Sequence, residues 1–315
     1  MRQRDTAGIK GPYPSRNLLT APAVDFHFKR QKKPIVVGKD VIRTPFRSWD
    51  DCCMDGGGRL GLAMGWHTIV AGNTGAGKSI LALNAAASAV IDGVSVGFVS
   101  LEMSQEQLMS RILGMLTGEP VAKMQRGPEY DPHFADFIQE RLQEKIGKAR
   151  LMTNDDAMSE HPLHQIDEIV DLCTYWIEEL GCKMLILDYM QLAGFGSSEK
   201  VAERVTEISR AIRGVAHHKK VVTMGLSQFN RTTSANYTDK PKVQGLFGAS
   251  GMENDANQVV MIDHSRYEKT PQGNRTYVLV GKNRHGPTPE IPILLDTRSL
   301  QMIEAMPHEE SQWPT

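Results

Sequence analysis

Residues 66–79, WHTIVAGNTGAGKS, decide how this chain folds, together with LALNAAASAVI at 81–91. The apolar run WHTIVAG has the length of one strand, and the small-residue pattern after it has the length of a helix. Between them, Gly72, Asn73, Thr74, Gly75, Ala76, Gly77, Lys78 and Ser79 match GxxxxGK[ST] at every fixed position. A strand before and a helix after is the context in which that pattern forms a P-loop rather than a chance glycine-rich turn. The glycines let successive backbone N–H groups turn inward around phosphate oxygens, and the helix adds its positive N-terminal end. Lys78 would then reach the β- and γ-phosphates of a nucleotide, and the Ser79 hydroxyl would bind Mg2+.

Outward from the loop the same alternation continues. VSVGFVS (94–100) precedes a helix from about Ser104, helical patterns cover 133–147 and 164–180, and KMLILDY (183–189) reads as a strand. A helix from about Ser198 to His218 leads into the strand KVVTMGLSQ (220–228). Strands separated by helices predict an α/β fold with a mostly parallel sheet covered on both faces. From residue 257 strand follows strand, in QVVMID, RTYVLVGK and EIPILLD, which predicts an antiparallel, hairpin-rich edge. The expected domain runs from 42 to 300, after an irregular basic arm at 1–41 and before a mobile acidic tail at 301–315.

Composition excludes little. A hydrophobic content of 40% and a charged content of 23% are ordinary for a globular protein, and 315 residues suffice for a full core. The formal net charge of −1 gives no global basic field, so any polyanion must be held by local patches. One such patch is KRQKK at 29–33, which reads either as a solvated tail or as an arm that grips a neighbour or a phosphate backbone. Four cysteines without CxxC pairing, no signal-peptide core and no membrane-spanning run point to the cytoplasm.

Three polar residues stand at predicted strand ends. Asp188 closes MLILD, where it reads as a magnesium-binding carboxylate or as a turn residue. Glu102 follows VGFVS; it can orient and polarise an attacking water, because Ser104 and Gln107 already form a capping box for the next helix. Gln228 follows VVTMGLS and reads as a γ-phosphate sensor or a surface amide. In VGKNRHG, side-chain alternation puts Lys282 and Arg284 on one face with Asn283 on the other. Alone, that pair would be a solvated strand end.

Taken in order, GNTGAGKS, FVSLEM, LILDYMQL, LSQFNR, SGMENDANQVVMI and GKNRHGP resemble the RecA-like ATPase domain of the DnaB-type replicative helicases, over about residues 42–296. The resemblance implies a homo-oligomeric ring, usually hexameric, with ATP between neighbours, Mg2+ beside it and single-stranded DNA in the channel. It implies Lys78 and Ser79 as the Walker A pair, Glu102 as the catalytic base, Asp188 as Walker B and Gln228 as the sensor. Lys282 and Arg284 resemble the basic pair that reaches the neighbour's nucleotide, the arginine being the finger.

Two departures qualify the resemblance. The family's helical collar and linker helix are not matched by the irregular residues before the core, so a phage-type or otherwise minimal relative is expected, with a loader or primase as partner. In RTTSANYTDKPKVQGLFGA (231–249), the arginine that the family places shortly before Ser-Gly is missing. Arg231, Lys240 and Lys242 are the candidate phosphate contacts, with Gly245, Gly248 and Gly251 as N–H donors and Tyr237 or Phe247 as stacking platforms, against a plain surface loop. A recombinase-like DNA-filament ATPase and a loader or regulatory ATPase without unwinding activity are the rival functions.

Overall fold

The computed structural model describes residues 35–53, 60–126, 132–154, 165–193, 201–229, 240–246, 249–271 and 273–305. Its first half contains β1 (Val41–Ile42), α1 (Arg47–Cys52), β2 (Leu62–Ala63), β3 (His67–Gly72), α2 (Lys78–Ile91), β4 (Val96–Ser100), α3 (Gln105–Thr117), α4 (Val121–Arg126), α5 (Pro132–Ile146) and β5 (Leu151–Thr153). The second half contains α6 (Ile166–Glu178), β6 (Met184–Asp188), α7 (Val201–Lys219), β7 (Val222–Gln228), α8 (Ala249–Asp255), β8 (Gln258–Thr270), β9 (Gly273–Asn283), β10 (Glu290–Leu295) and β11 (Met302–Glu304).

Nine strands form one sheet in the order β11-β10-β9-β8-β3-β7-β6-β4-β5. From β8 to β5 the neighbours run parallel, and β9, β10 and β11 add antiparallel pairs. The P-loop strand β3 is thus flanked on both sides and carries no edge. Alternation along it feeds two cores: Val70 packs with one, Ile69 and Ala71 with the other. β6 does the same, with Met184 and Ile186 on one face and Leu185 and Leu187 on the opposite one. Leu81 and Leu83 of α2 cover the first face, and Ile169 and Trp176 of α6 with Ile208 and Ile212 of α7 cover the second. Burial on both faces is why these strands read as continuous apolar runs. Among the described residues, no helix is long and apolar enough to cross a membrane.

The structure corrects two boundaries. The tail expected at 301–315 begins with a strand: β11 pairs with β10, Met302 is buried, and its N–H donates to Asn84 Oδ1 at 2.9 Å. Three residues are too few to show a period, so the pattern could not announce them. The arm expected to reach residue 41 also ends earlier, because Val37 bridges to Val41, and β1 pairs with β2. The basic cluster at 29–33 lies outside the described residues. Ser104 caps α3 as expected, its side chain accepting from the Gln107 N–H at 3.3 Å.

Candidate active site

The loop between β3 and α2 has the backbone an anion needs. Gly75 and Gly77 have φ of +76° and +98°, a left-handed region that strains any residue with a Cβ. Gly77 precedes α2, and among the described residues no side-chain hydrogen bond caps that helix end. Its first N–H groups therefore remain available to phosphate oxygens. The Asn73 carbonyl closes the turn by accepting from the Ala76 N–H at 3.1 Å, while Thr74 is exposed. Lys78 is buried, with Nζ donating to the Gly72 and Asn73 carbonyls at 3.1 and 2.9 Å. Burial pushes its pKa below the ordinary lysine range, and the Asp188 and Glu102 carboxylates pull the other way.

Parallel register lines up the groups around this loop. Ser100 pairs with Asp188, and Gly72 with Gln228, so the ends of β4, β6 and β7 share one sheet edge with the P-loop. Asp188 is 1% exposed, and among the described residues neither carboxylate oxygen has a hydrogen-bond partner. Burial pushes its pKa up to about 6, although the nearby Ser79 hydroxyl and the Lys78 and Arg111 charges work against this. A bare buried carboxylate beside a hydroxyl suits a hard, oxygen-seeking cation. Among the described residues, no three or more His, Cys, Asp or Glu side chains cluster to hold a metal. Ser79 and Asp188 are the side chains here that could hold such a cation.

Glu102 is exposed in the turn after β4. That turn is fixed from beneath: Asn154 Oδ1 accepts from the Ser100 N–H at 2.7 Å and Nδ2 donates to the Ser100 carbonyl at 2.9 Å. Ser100 Oγ donates to the Met103 carbonyl at 2.7 Å, and the Leu101 N–H to the Asp188 carbonyl at 2.8 Å. Three neighbours escaped the sequence reading. Asn154 carries no local signal, because its partner lies 54 residues away. Gln191 and Tyr189 stand in LILDYMQL, directly after Asp188. Gln191 Nε2 donates to Ser227 Oγ at 2.9 Å and to the Gln228 carbonyl at 3.4 Å, tying the ends of β6 and β7 together. Burial, then the Glu102 and Asp188 charges, raise the Tyr189 pKa.

Lys282 and Arg284 lie at the other end of the sheet. Asn283 of β9 pairs with Gln258, which pairs with Thr68 near the start of β3. From Thr68 to Gly72 the strand climbs roughly 13 Å, before the loop itself is added. The pair therefore belongs to the edge opposite the P-loop. Lys282 Nζ donates to the Glu253 carbonyl and the Arg284 guanidinium to the Asn254 carbonyl. Both acceptors are in the last turn of α8, where the backbone dipole favours cations. Burial, then the Arg284 charge, lower the Lys282 pKa.

Of the residues considered for DNA contact, Arg231, Tyr237, Phe247 and Gly248 lie outside the described residues. Lys240 is exposed and ion-paired with Glu290, which also takes Arg266 at 2.8 Å. Lys242 is exposed, and Gly245 ends a 3-10 turn. Gly251 lies in α8, where an added Cβ would fall 2.4 Å from Thr206 of α7, so close helix packing accounts for a glycine there.

Residues 51–302 match the model of the DnaB-like helicase C terminal domain. The replicative DNA helicase DnaB of Leifsonia xyli subsp. xyli is 31% identical over 237 residues, covering 74% of this chain and 50% of that protein. The chain spans about half the length of the curated relatives it matches. One solved ATPase domain superposes with a TM-score of 0.72 at 17% identity, covering 93% of this chain and all of that one (100%). A DnaB-like replicative helicase, solved in a study of its interactions with primase, also gives 0.72 at 17%, covering 91% of this chain and 68% of that one. These two likenesses show the fold: a mostly parallel sheet flanked by helices, with antiparallel strands along one side. By its family match over four-fifths of its length, the chain belongs to the DnaB-like helicase C-terminal domain family.

Proposed function

We propose that this chain is the motor core of a ring-forming, ATP-dependent DNA helicase that acts in cytoplasmic DNA replication, hydrolysing Mg-ATP between subunits and moving along single-stranded DNA. The observation that carries it is the separation of the P-loop and the Lys282–Arg284 pair to opposite sheet edges. One subunit holds a phosphate cradle and, too far away to serve it, the cations that a phosphoryl-transfer site needs. A site completed by the next subunit uses both.

In this reading the P-loop N–H groups and Lys78 hold the β- and γ-phosphates, and Ser79 and Asp188 hold Mg2+. When bound, the metal would supply charge neutralisation at the phosphates. Glu102, free of capping duty and kept in place by the Ser100–Asn154 clamp, orients the attacking water. Gln228, beside Gly72 and tied through its carbonyl to Gln191, senses the γ-phosphate. Arg284 from the neighbour stabilises the charge that develops on the transferred group, and Lys282 adds a point charge beside it. Arg231, Lys240, Lys242 and Phe247, with the N–H groups of Gly248 and Gly251, form the proposed DNA-contacting segment. A full ring is taken to be hexameric, and a primase or loader to be its partner.

A strand-displacement assay on forked DNA tests this function. The expected result is ATP-dependent unwinding, with ATPase activity raised by single-stranded DNA. ATPase that DNA leaves unchanged, without unwinding, would instead fit a regulatory ATPase and sink the helicase reading.

A further inference from the structure

The turn that carries Arg284 is built more firmly than a solvated strand end requires. Asn283 uses its whole amide there. Its Nδ2 donates to the Cys52 carbonyl at 2.8 Å and to the Pro287 carbonyl at 3.0 Å, and its Oδ1 accepts from the His285 N–H at 3.1 Å. The Arg284 N–H donates to the Asn257 carbonyl at 3.0 Å. On the other side of the arginine, the His285 ring stacks on Trp66, with centroids 4.7 Å apart and planes at 18°. Trp66 is buried and leads directly into β3. Gly286 then passes so close to α1 that an added Cβ would fall 2.1 Å from the Cys52 carbonyl oxygen.

The backbone of the turn is thus fastened to α1, to Trp66 and to the segment after α8, while the Arg284 side chain stays exposed. A guanidinium that must meet a phosphate on another molecule gains little from its charge unless its base is aimed, because a misplacement of about 1 Å can cost about a hundredfold in rate. Exposed strand-end residues have no such requirement. We propose that Asn283 and His285 are positioning residues: they fix the turn so that Lys282 and Arg284 are presented to the neighbouring subunit's nucleotide. Asn283 does so by bridging three backbone groups, and His285 by seating the turn on Trp66. This inference rests on the trans reading of Arg284, and its test separates the two.

The variants are Asn283→Asp, which keeps shape and acceptor but loses both donations, and His285→Ala, which removes only the stack. Each is assembled, checked by sedimentation and assayed for nucleotide affinity and steady-state ATPase. Expected are normal assembly, unchanged affinity and a kcat lowered about tenfold to a hundredfold. Each variant is then mixed with Lys78→Ala subunits, which cannot use their own cradle but carry intact turns. Because the defect lies in what a subunit offers its neighbour, mixed assemblies should exceed the ATPase of either parent. Arg284→Ala mixed with Lys78→Ala is the control. Unchanged kcat, failed assembly, or no recovery while the control recovers overturns the inference alone. A control that does not recover overturns the trans reading and this inference with it.

Discussion

His67 opens the central strand with a fully buried imidazole, its Nδ1 2.9 Å from Thr223 Oγ1 and its Nε2 3.4 Å from Ser209 Oγ. Burial pushes its pKa down to about 3, and the nearby Arg213 charge acts in the same direction. In the unfolded chain it titrates near the usual value of about 6.5. Above that pH both states hold it neutral and its contribution is complete. As pH falls below about 6.5 only the unfolded chain takes the proton, so stability is lost progressively towards pH 3, at no more than roughly 1.4 kcal/mol per unit. Urea midpoints at pH 7.5, 6 and 5 should therefore fall less steeply for His67→Gln than for the unaltered chain; parallel slopes would refute it. Nothing in the sequence marks this histidine, because its environment is made by Thr223 and Ser209, far along the chain. Asp188 and Gln228 were legible for the opposite reason: each ends its own apolar run, and a strand end is a local fact.

At the scale of elements, β3, the P-loop and α2 declare themselves, because a phosphate cradle needs its glycines, its lysine and its flanking periods within one short span. The parallel sheet followed from the alternation of runs. Strand order did not, since pairing is decided by contacts between distant segments. β11 is the clearest case. Met302 fills a core position beneath α2, Asn84 Nδ2 donates to the Leu300 carbonyl at 3.0 Å, and Gln301 Nε2 donates to the Met115 carbonyl at 2.6 Å. Glu304 accepts from the Ser48 N–H at 3.1 Å at the start of α1. Removing residues 301–315 should therefore cost at least ~2 kcal/mol in urea unfolding, from the buried Met302 and Ala305 side chains and several hydrogen bonds. An unchanged midpoint would show those contacts to be idle.

For the whole molecule, the decisive quantity is the distance between the P-loop edge and the Arg284 edge. If each site needs both, a lone chain is half an enzyme, and ATPase per chain should rise with protein concentration until assembly saturates. Sedimentation over the same range should show the two curves moving together; a constant rate per chain across the transition would count against shared sites. The sequence supplied both halves of the proposed site, GNTGAGKS and GKNRHGP, but not their separation, which only the antiparallel turn of β9 against β8 creates. That turn also gives the molecule a sense of direction. On the proposed shared site, one end is a lock and the opposite end a key, so two copies meeting lock to lock would waste both keys. Growth that satisfied every copy would then proceed in a single sense, and whatever each subunit passed on would inherit that sense.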